Sequence, residues 1–376
     1  MKIIADNKIP FLKGVFEPYA EVEYYPGNEI NARKVKDADA LIVRTRTCCN
    51  ADLLEGSSVK FIATATIGFD HIDKDFCSRN GIVWKNAPGC NSASVMQYVA
   101  SVLIRLSMRY RLDLKETILG IVGVGNVGLK VARMASLLGM NVLLNDPPRE
   151  RSEDKSTFVS IDEIAEKADI ITFHVPLNRG GIDNTFHLFN ESLVRKIKPD
   201  TIIINSARGE VVSNEMLKKA IKEKSIKTAV LDVWENEPDI DVELLQLAEI
   251  GTPHIAGYSM DGKSNGTAMA VQAVSDFFNL GMSNWYPENI PLPANTEISI
   301  DCTNLNLLQV VSKAILFTYD VIQDDIRFRN SISTFEYQRN NYPVRREFNN
   351  FTVKLTNATQ QQYEVLKKIG FSTVVA

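Results

Sequence analysis

Long apolar runs are missing from this chain of 376 residues. No stretch approaches the roughly 20 consecutive apolar residues that a bilayer-spanning helix requires. Cysteine is scarce: the five are odd in number and show no C-x-x-C spacing. That excludes a disulfide scaffold and leaves reduced structural thiols as the expectation. Cys48 and Cys49 adjoin, but no histidine stands near them, and no metal is expected. Charge of one sign is lacking too. The 42 lysines and arginines and 46 aspartates and glutamates are mixed along the chain, for a net of −4, so the basic stripe of a nucleic-acid binder is absent. Internal repeats and low-complexity segments are also missing. The opening MKIIADNKIP enters a strand with no charged lead or long apolar core, and a cytoplasmic location is expected.

What is present is specific in arrangement. An apolar content of 45% supports large cores, and the length suggests two or three domains. The segment from Thr117 to Pro147 reads TILGIVGVGNVGLKVARMASLLGMNVLLNDP. Ile118, Leu119, Ile121 and Val122 predict a strand buried on both faces of a parallel sheet. Gly123, Gly125 and Gly128 follow in G-x-G-x-x-G order. Val127, Val131, Met134, Ala135 and Leu138 then recur at helical spacing, and a second apolar run, Val142 to Leu144, ends at Asp146. Strand, glycine turn, helix, strand and acid together predict a dinucleotide site. In it, Gly123, Gly125, Asn126, Val127 and Gly128 form the turn and helix start that receive the pyrophosphate. Asp146 accepts hydrogen bonds from the adenosine ribose and repels a 2′-phosphate, which favours NAD over NADP. Arg149 and Arg151 lie close behind, and an arginine there can accommodate NADP.

The alternation of strands and helices predicts an α/β fold in three parts. Residues 1–92 with 255–285 are expected to form a discontinuous substrate-binding domain, with strands at Lys2–Ala5, Val22–Tyr25, Ala40–Val43, Phe61–Thr64 and Ile82–Trp84. Residues 93–254 are expected to form a doubly wound Rossmann-type NAD domain, with strands at 118–123, 141–145, 169–174, 201–205 and 227–232. Residues 286–376 carry no chemical motif, and oligomerisation is the expected role. A long helix is expected there from Leu305 to Arg327, then short strands at Thr352–Leu355 and Thr373–Val375.

Oxidation of an alcohol by NAD needs a proton acceptor, a partner for it, and a cation for the substrate. There are four histidines. His254 lies in Gly251-Thr-Pro-His-Ile-Ala-Gly257, bounded by proline and glycine as a strand-end loop. Glu237, upstream in Asp232-Val-Trp-Glu-Asn-Glu-Pro238, is a carboxylate able to orient that ring and favour its charged form. Arg208 follows a strand in Asn205-Ser-Ala-Arg-Gly209, where a guanidinium can hold an α-hydroxycarboxylate bidentately. Taken singly, His254 and Arg208 fit structural roles equally well. His174, with Val175 and Pro176, ends a strand on the cofactor side and reads as lining that cleft. His71 and His187 read as structural. Arg44 and Arg46 end a strand of the first domain and are candidates for a substrate phosphate, with Lys263 as a further one.

Five motifs in order carry a resemblance: Gly123-x-Gly-x-x-Gly128, His174-Val-Pro-Leu177, Asn205-Ser-Ala-Arg-Gly209, Asp232-Val-Trp-Glu-x-Glu-Pro238 and Thr252-Pro-His254. The chain resembles the D-isomer-specific 2-hydroxyacid dehydrogenases. The resemblance implies NAD as cofactor, Arg208 as the substrate-orienting cation, Glu237 as the partner and His254 as proton acceptor and donor. It implies that Ser206, Ala207, Arg208, Asp232 and Gly257 line the nicotinamide side. It also implies a flavodoxin-like substrate domain and a C-terminal α+β dimerisation domain. Within the family, Thr64-Ala-Thr-Ile-Gly-Phe-Asp-His71, Ala87-Pro-Gly-Cys-Asn91, Asp146-Pro-Pro148 and His254-Ile-Ala-Gly-Tyr-Ser259 point to a member acting on a small phosphorylated hydroxy acid. Thr45, Thr66 and Tyr258 are the substrate contacts so implied. The alternatives are another member, such as one acting on 3-phosphoglycerate, or an NAD(H)-sensing protein without catalysis on the same fold.

Overall fold

The computed structural model describes residues 1–153 and 157–375. The chain divides into two compact units: Met1–Asn91 with Ser259–Pro291, and Ser92–Tyr258 with Leu292–Ala376.

The first unit is built on five parallel strands, β1 (Lys2–Asp6), β2 (Glu21–Tyr25), β3 (Ala40–Val43), β4 (Phe61–Thr64) and β5 (Val83–Lys85), in the order β2-β1-β3-β4-β5. Successive side chains of a strand point to opposite faces, so each inner strand feeds two cores. Ile3, Ala5, Ala40, Ile42 and Phe61 join Val271 and Val274 of the helix Met260–Phe278. Ile4, Leu41, Val43 and Ile62 pack on the other face with Val35, Leu53, Leu54 and Phe76.

The second unit holds a six-stranded parallel sheet: β6 (Ile118–Val122), β7 (Asn141–Asn145), β8 (Ile170–Phe173), β9 (Ile202–Asn205), β10 (Thr228–Leu231) and β11 (Ile250–Gly251). The order is β11-β10-β9-β8-β6-β7. The chain runs outward from β6 to β7, then returns to lay β8 on the other side of β6. That reversal is the switch point at which doubly wound sheets bind ligands beyond the carboxyl ends of their strands. The sequence expectations for β6 to β10 agree with the observed strands to within a residue or two at each end, and the short β11 was not anticipated.

The C-terminal residues of this unit form three parallel strands, β12 (Glu297–Asp301), β13 (Thr352–Thr356) and β14 (Ser372–Val375), paired in that order. Their core is continuous with that of the helix Ser92–Tyr110. The long helix expected from Leu305 to Arg327 is instead two, Leu307–Thr318 and Val321–Asn330. Tyr319 between them is extended, and its buried hydroxyl donates to Asp324 at 2.8 Å. Asp320 caps the second helix by accepting from the Ile322 N–H. A side chain that competes for backbone donors stops a helix that apolar periodicity alone would continue. The strand β12 and the helix Gln360–Ile369 were not anticipated. No helix among the described residues is long and apolar enough to cross a membrane.

Candidate active site

Strand register in the second unit brings the motifs to one edge. Asn145 pairs with Val122, Val122 with Phe173, Phe173 with Asn205, Asn205 with Leu231, and Leu231 with Gly251. The next residues along each strand are Asp146, Gly123, His174, Ser206, Asp232 and Thr252. Every sequence candidate of the dinucleotide domain therefore leaves the carboxyl edge of this sheet.

The glycine turn is built as its spacing requires. Gly123 has φ +90°, and a Cβ there would lie 2.7 Å from the His174 carbonyl carbon. A Cβ on Gly128 would lie 2.0 Å from the Gly123 carbonyl oxygen, so the helix Asn126–Leu137 can seat on the turn only with glycine there. Around Gly125, at the helix N-terminus, the space is open, as pyrophosphate access needs.

Asp146 accepts from the Val124 N–H at 2.8 Å and the Arg149 N–H at 3.1 Å, which fixes its carboxylate beside the turn. The two arginines placed to meet a 2′-phosphate are committed elsewhere. Arg149 pairs with Glu153 at 2.7 and 3.0 Å and donates to the Val124 carbonyl, and Arg151 pairs with Asp183 at 2.6 Å. Two buried polar atoms of the adjacent strand ends, His174 Nδ1 and Ser206 Oγ, have no hydrogen-bond partner among the described residues. Buried polar groups are rarely left so, and a nicotinamide half with its amide and ribose hydroxyls is the kind of group that satisfies them. The residues present thus fit NAD. His174 also bonds Thr172 Oγ1 through Nε2 at 3.0 Å, and burial pushes its pKa down to about 3. A ring held neutral in this way can line a cofactor but not trade protons near neutral pH.

His254 Nδ1 lies 2.7 Å from Glu237 Oε2, and Glu237 Oε1 accepts from the Trp234 N–H at 2.9 Å. Burial alone would raise the pKa of the Glu237 carboxyl. The charge and hydrogen bond of His254, the Trp234 N–H and the charge of Arg339 outweigh it and leave the pKa lowered. The ionised carboxylate accepts from Nδ1–H, which leaves Nε2 as the basic atom. His254 itself is left-handed, at φ +55°, with its N–H on the Asp232 carbonyl at 2.7 Å.

Beneath this loop the buried Asp232 carboxylate accepts from Thr252 Oγ1, the Ile255 N–H and the Ala256 N–H at 2.7, 2.7 and 2.9 Å. Tyr98 meets the Thr252 hydroxyl at 2.9 Å, and Trp234 Nε1 donates to the Thr252 carbonyl. Burial raises the Asp232 pKa, against the pull of these donors and of His254. The structure therefore places Asp232 as the anchor of the histidine loop. Gly257 and Tyr258 follow directly, and the Tyr258 N–H donates to the Ile255 carbonyl.

Arg208 precedes a short 3-10 turn, Gly209–Val211, and its Nη1 donates to the Ala207 carbonyl at 2.8 Å. A Cβ on Gly209 would lie 2.0 Å from the Trp234 carbonyl oxygen. The arginine loop thus backs directly onto the turn that holds Glu237. Sequence order alone leaves two glutamates and two histidines to pair here. The other pair is His187 with Glu235, at 2.6 Å, and the second oxygen of Glu235 accepts from the Asn214 N–H.

In the first unit, Arg44, Thr45 and Arg46 follow β3, and Thr66 lies just beyond β4. Arg44 forks its Nε and Nη2 onto the fully buried Asp6 carboxylate at 3.0 and 3.3 Å. Lys263 is half-buried, and burial, followed by repulsion from Arg44, lowers its pKa. Thr66 Oγ1 lies 2.8 Å from Thr64 Oγ1 and donates to the Gly68 carbonyl, and His71 Nε2 meets Thr64 at 3.1 Å.

Known proteins match the chain over most of its length. Residues 97–256 match the family described as D-isomer specific 2-hydroxyacid dehydrogenase, NAD binding domain, and residues 290–370 match a domain of unknown function. A D-lactate dehydrogenase from Aquifex aeolicus, solved with NAD and lactic acid, is 25% identical at a TM-score of 0.64, over 75% of this chain and 97% of its own. An NAD-bound 3-phosphoglycerate dehydrogenase from Entamoeba histolytica is 26% identical at 0.63, over 77% and 99%. The fold is that of the NAD-dependent D-2-hydroxyacid dehydrogenases. Erythronate-4-phosphate dehydrogenase from Bacteroides fragilis is 48% identical over 95% of this chain and all of its own, and that from Porphyromonas gingivalis 41% identical over 99% and 100%. The chain belongs to the erythronate-4-phosphate dehydrogenase family.

Proposed function

We propose that the protein oxidises 4-phospho-D-erythronate at its 2-hydroxyl to (R)-3-hydroxy-2-oxo-4-phosphooxybutanoate, a step of pyridoxine biosynthesis. The observation that carries the chemistry is the 2.7 Å hydrogen bond from His254 to Glu237 at the carboxyl edge of the NAD-binding sheet. Full-length likeness to relatives named for this substrate supports its identity.

In this reading Arg208 holds the substrate carboxylate and the oxygen on C2. His254 Nε2 takes the hydroxyl proton, and Glu237 stabilises the imidazolium that forms. Bound NAD accepts the hydride from C2. Gly123, Gly125, Asn126, Val127 and Gly128 hold the pyrophosphate, and Asp146 the adenosine ribose. The nicotinamide half is held by His174, Val175, Pro176, Ser206, Ala207, Arg208, Asp232 and Gly257. Tyr258 is a substrate contact. In the first unit, Arg46 and Lys263, with the hydroxyls of Thr45 and Thr66, form an anion-binding strand edge suited to the phosphate, and Arg44, whose Nε and Nη2 are held by Asp6, adds its charge and its remaining Nη1 edge there.

The three-part division at residues 92, 254 and 285 belongs to the same reading, with residues 286–376 joining two copies into a homodimer. Exposed Phe317, Ile326 and Tyr337 supply apolar surface for that contact. Five free thiols accord with a cytoplasmic location. The deciding experiment is NADH formation by the purified protein from 4-phosphoerythronate, with 3-phosphoglycerate and D-lactate alongside. A clear preference for either of the latter overturns the substrate. No turnover with any 2-hydroxy acid, together with tight NADH binding, favours a sensor.

A further inference from the structure

Five arginines of the C-terminal segment, Arg327, Arg329, Arg339, Arg345 and Arg346, lie near one another in sequence, and four have their guanidinium groups engaged, Arg346 through Nη2 to Asn350 Oδ1. Arg345 donates from Nε to Gln97 and from its terminal nitrogens to the Ser94 and Ile255 carbonyls. Arg329 holds Asp325 and the carbonyls of Leu245 and Ala248. Arg327 pairs with Asp324 at 2.9 Å. Arg339 differs. Its side chain is only 15% exposed, yet its one hydrogen bond among the described residues is from Nη1 to Glu336, at a long 3.3 Å. Its buried Nε has no partner among them.

The surroundings of Arg339 belong to the site. The guanidinium carbon lies 5.6 Å from the centre of the Tyr258 ring and 5.7 Å from that of Phe335. Burial opposes its charge, but Tyr258, Glu237, Glu336 and Asp232 more than restore it. Neither Glu237 nor Asp232 accepts a hydrogen bond from it, since their oxygens are taken by His254, Trp234, Thr252, Ile255 and Ala256. With Nη1 turned to Glu336, the unused edge is Nε with Nη2. These are the two parallel donors that receive a carboxylate or phosphate side-on. A permanently charged group whose buried Nε lacks a partner, beside the base's own partner, is costly to leave unsatisfied.

We propose that Arg339 is a second substrate-binding arginine, whose Nε–Nη2 edge takes an oxyanion of the hydroxy acid, carboxylate or phosphate, in addition to the one held by Arg208. This rests on the dehydrogenase reading above and assigns the C-terminal segment a direct part in substrate recognition.

The test uses the full-length protein and its R339Q and R339K variants. The expected result for R339Q is a KM for 4-phosphoerythronate raised by about tenfold or more, the scale of a lost charge-assisted pair, with NADH affinity within about twofold of wild type. R339K is expected to recover part of the loss, since it restores charge without the fork. Calorimetric binding of glycolate and of inorganic phosphate to the NADH complexes gives a second readout that needs no turnover. Weakened glycolate alone identifies the carboxylate, and weakened phosphate alone the phosphate. KM and both affinities unchanged in R339Q and R339K overturn the proposal. A wild-type protein inert toward 4-phosphoerythronate refutes the substrate instead, and the binding measurements still judge Arg339. Should R339Q fail to fold, R339K decides by the same two readouts.

Discussion

His254 Nδ1 and Glu237 Oε2 stand 2.7 Å apart, and that bond selects the tautomer with a basic Nε2. His254→Ala should therefore lower kcat by about 100- to 10,000-fold, the usual share of a positioned acid–base, while NADH binding persists. Glu237→Gln should keep the fold and lose much of the rate. Fluorescence titration of NADH beside initial rates checks both. Near-normal turnover of either variant would remove the pair from the mechanism.

Asp146 is fixed by two backbone N–H groups, and Arg149 and Arg151 are each tied to a carboxylate. Asp146→Ala should weaken NAD and narrow its advantage over NADP by roughly tenfold, as expected when hydrogen bonds to a charged group are lost. Kinetics with both cofactors measure the ratio. An unchanged ratio rejects the ribose assignment.

Gly209 admits no side chain, because a Cβ would meet backbone atoms of Trp234 at 2.0 and 2.1 Å. Backbone cannot swing aside as a side-chain tip can. Gly209→Ala should cost about 1–3 kcal/mol of stability, the range for overpacking. It should also cut kcat/KM by displacing Arg208 from the Glu237 turn. Chemical denaturation and steady-state rates should move together. A stable variant with wild-type kinetics would break the link between the two loops.

His174 supplies a pH dependence with a definite sign. Its pKa falls from 6.5 to about 3 on burial, so between those values the unfolded chain binds a proton that the native one refuses. The stabilisation is fully present above pH 6.5 and is lost as pH falls toward 3, with a slope of up to about 1.4 kcal/mol per unit. His174→Asn should flatten that limb of a stability–pH curve measured by urea unfolding. An unaltered slope would mean that His174 is not held neutral by burial.

The nucleotide half of the protein was legible in its amino acids because its signals are local. Glycine spacing answers to steric contact within one turn, and the strand and helix periods answer to which face is buried. The motifs around Arg208, Glu237 and His254 were legible as short strings at strand ends, and resemblance then assigned their roles. Other features depend on segments distant in sequence meeting in space. That Glu237 meets His254 while Glu235 meets His187 follows from how the strand-end loops fold over Trp234. The helix break at Tyr319 follows from a hydroxyl buried on Asp324 and a cap at Asp320, which outweigh an unbroken apolar pattern. Arg339, in a stretch without motif, comes beside Tyr258 and the charge of Glu237 only through the packing of the C-terminal segment. Local sterics and hydrophobic period are written residue by residue, whereas the pairing of buried charges is a property of the assembled core, and only the tertiary structure decided it.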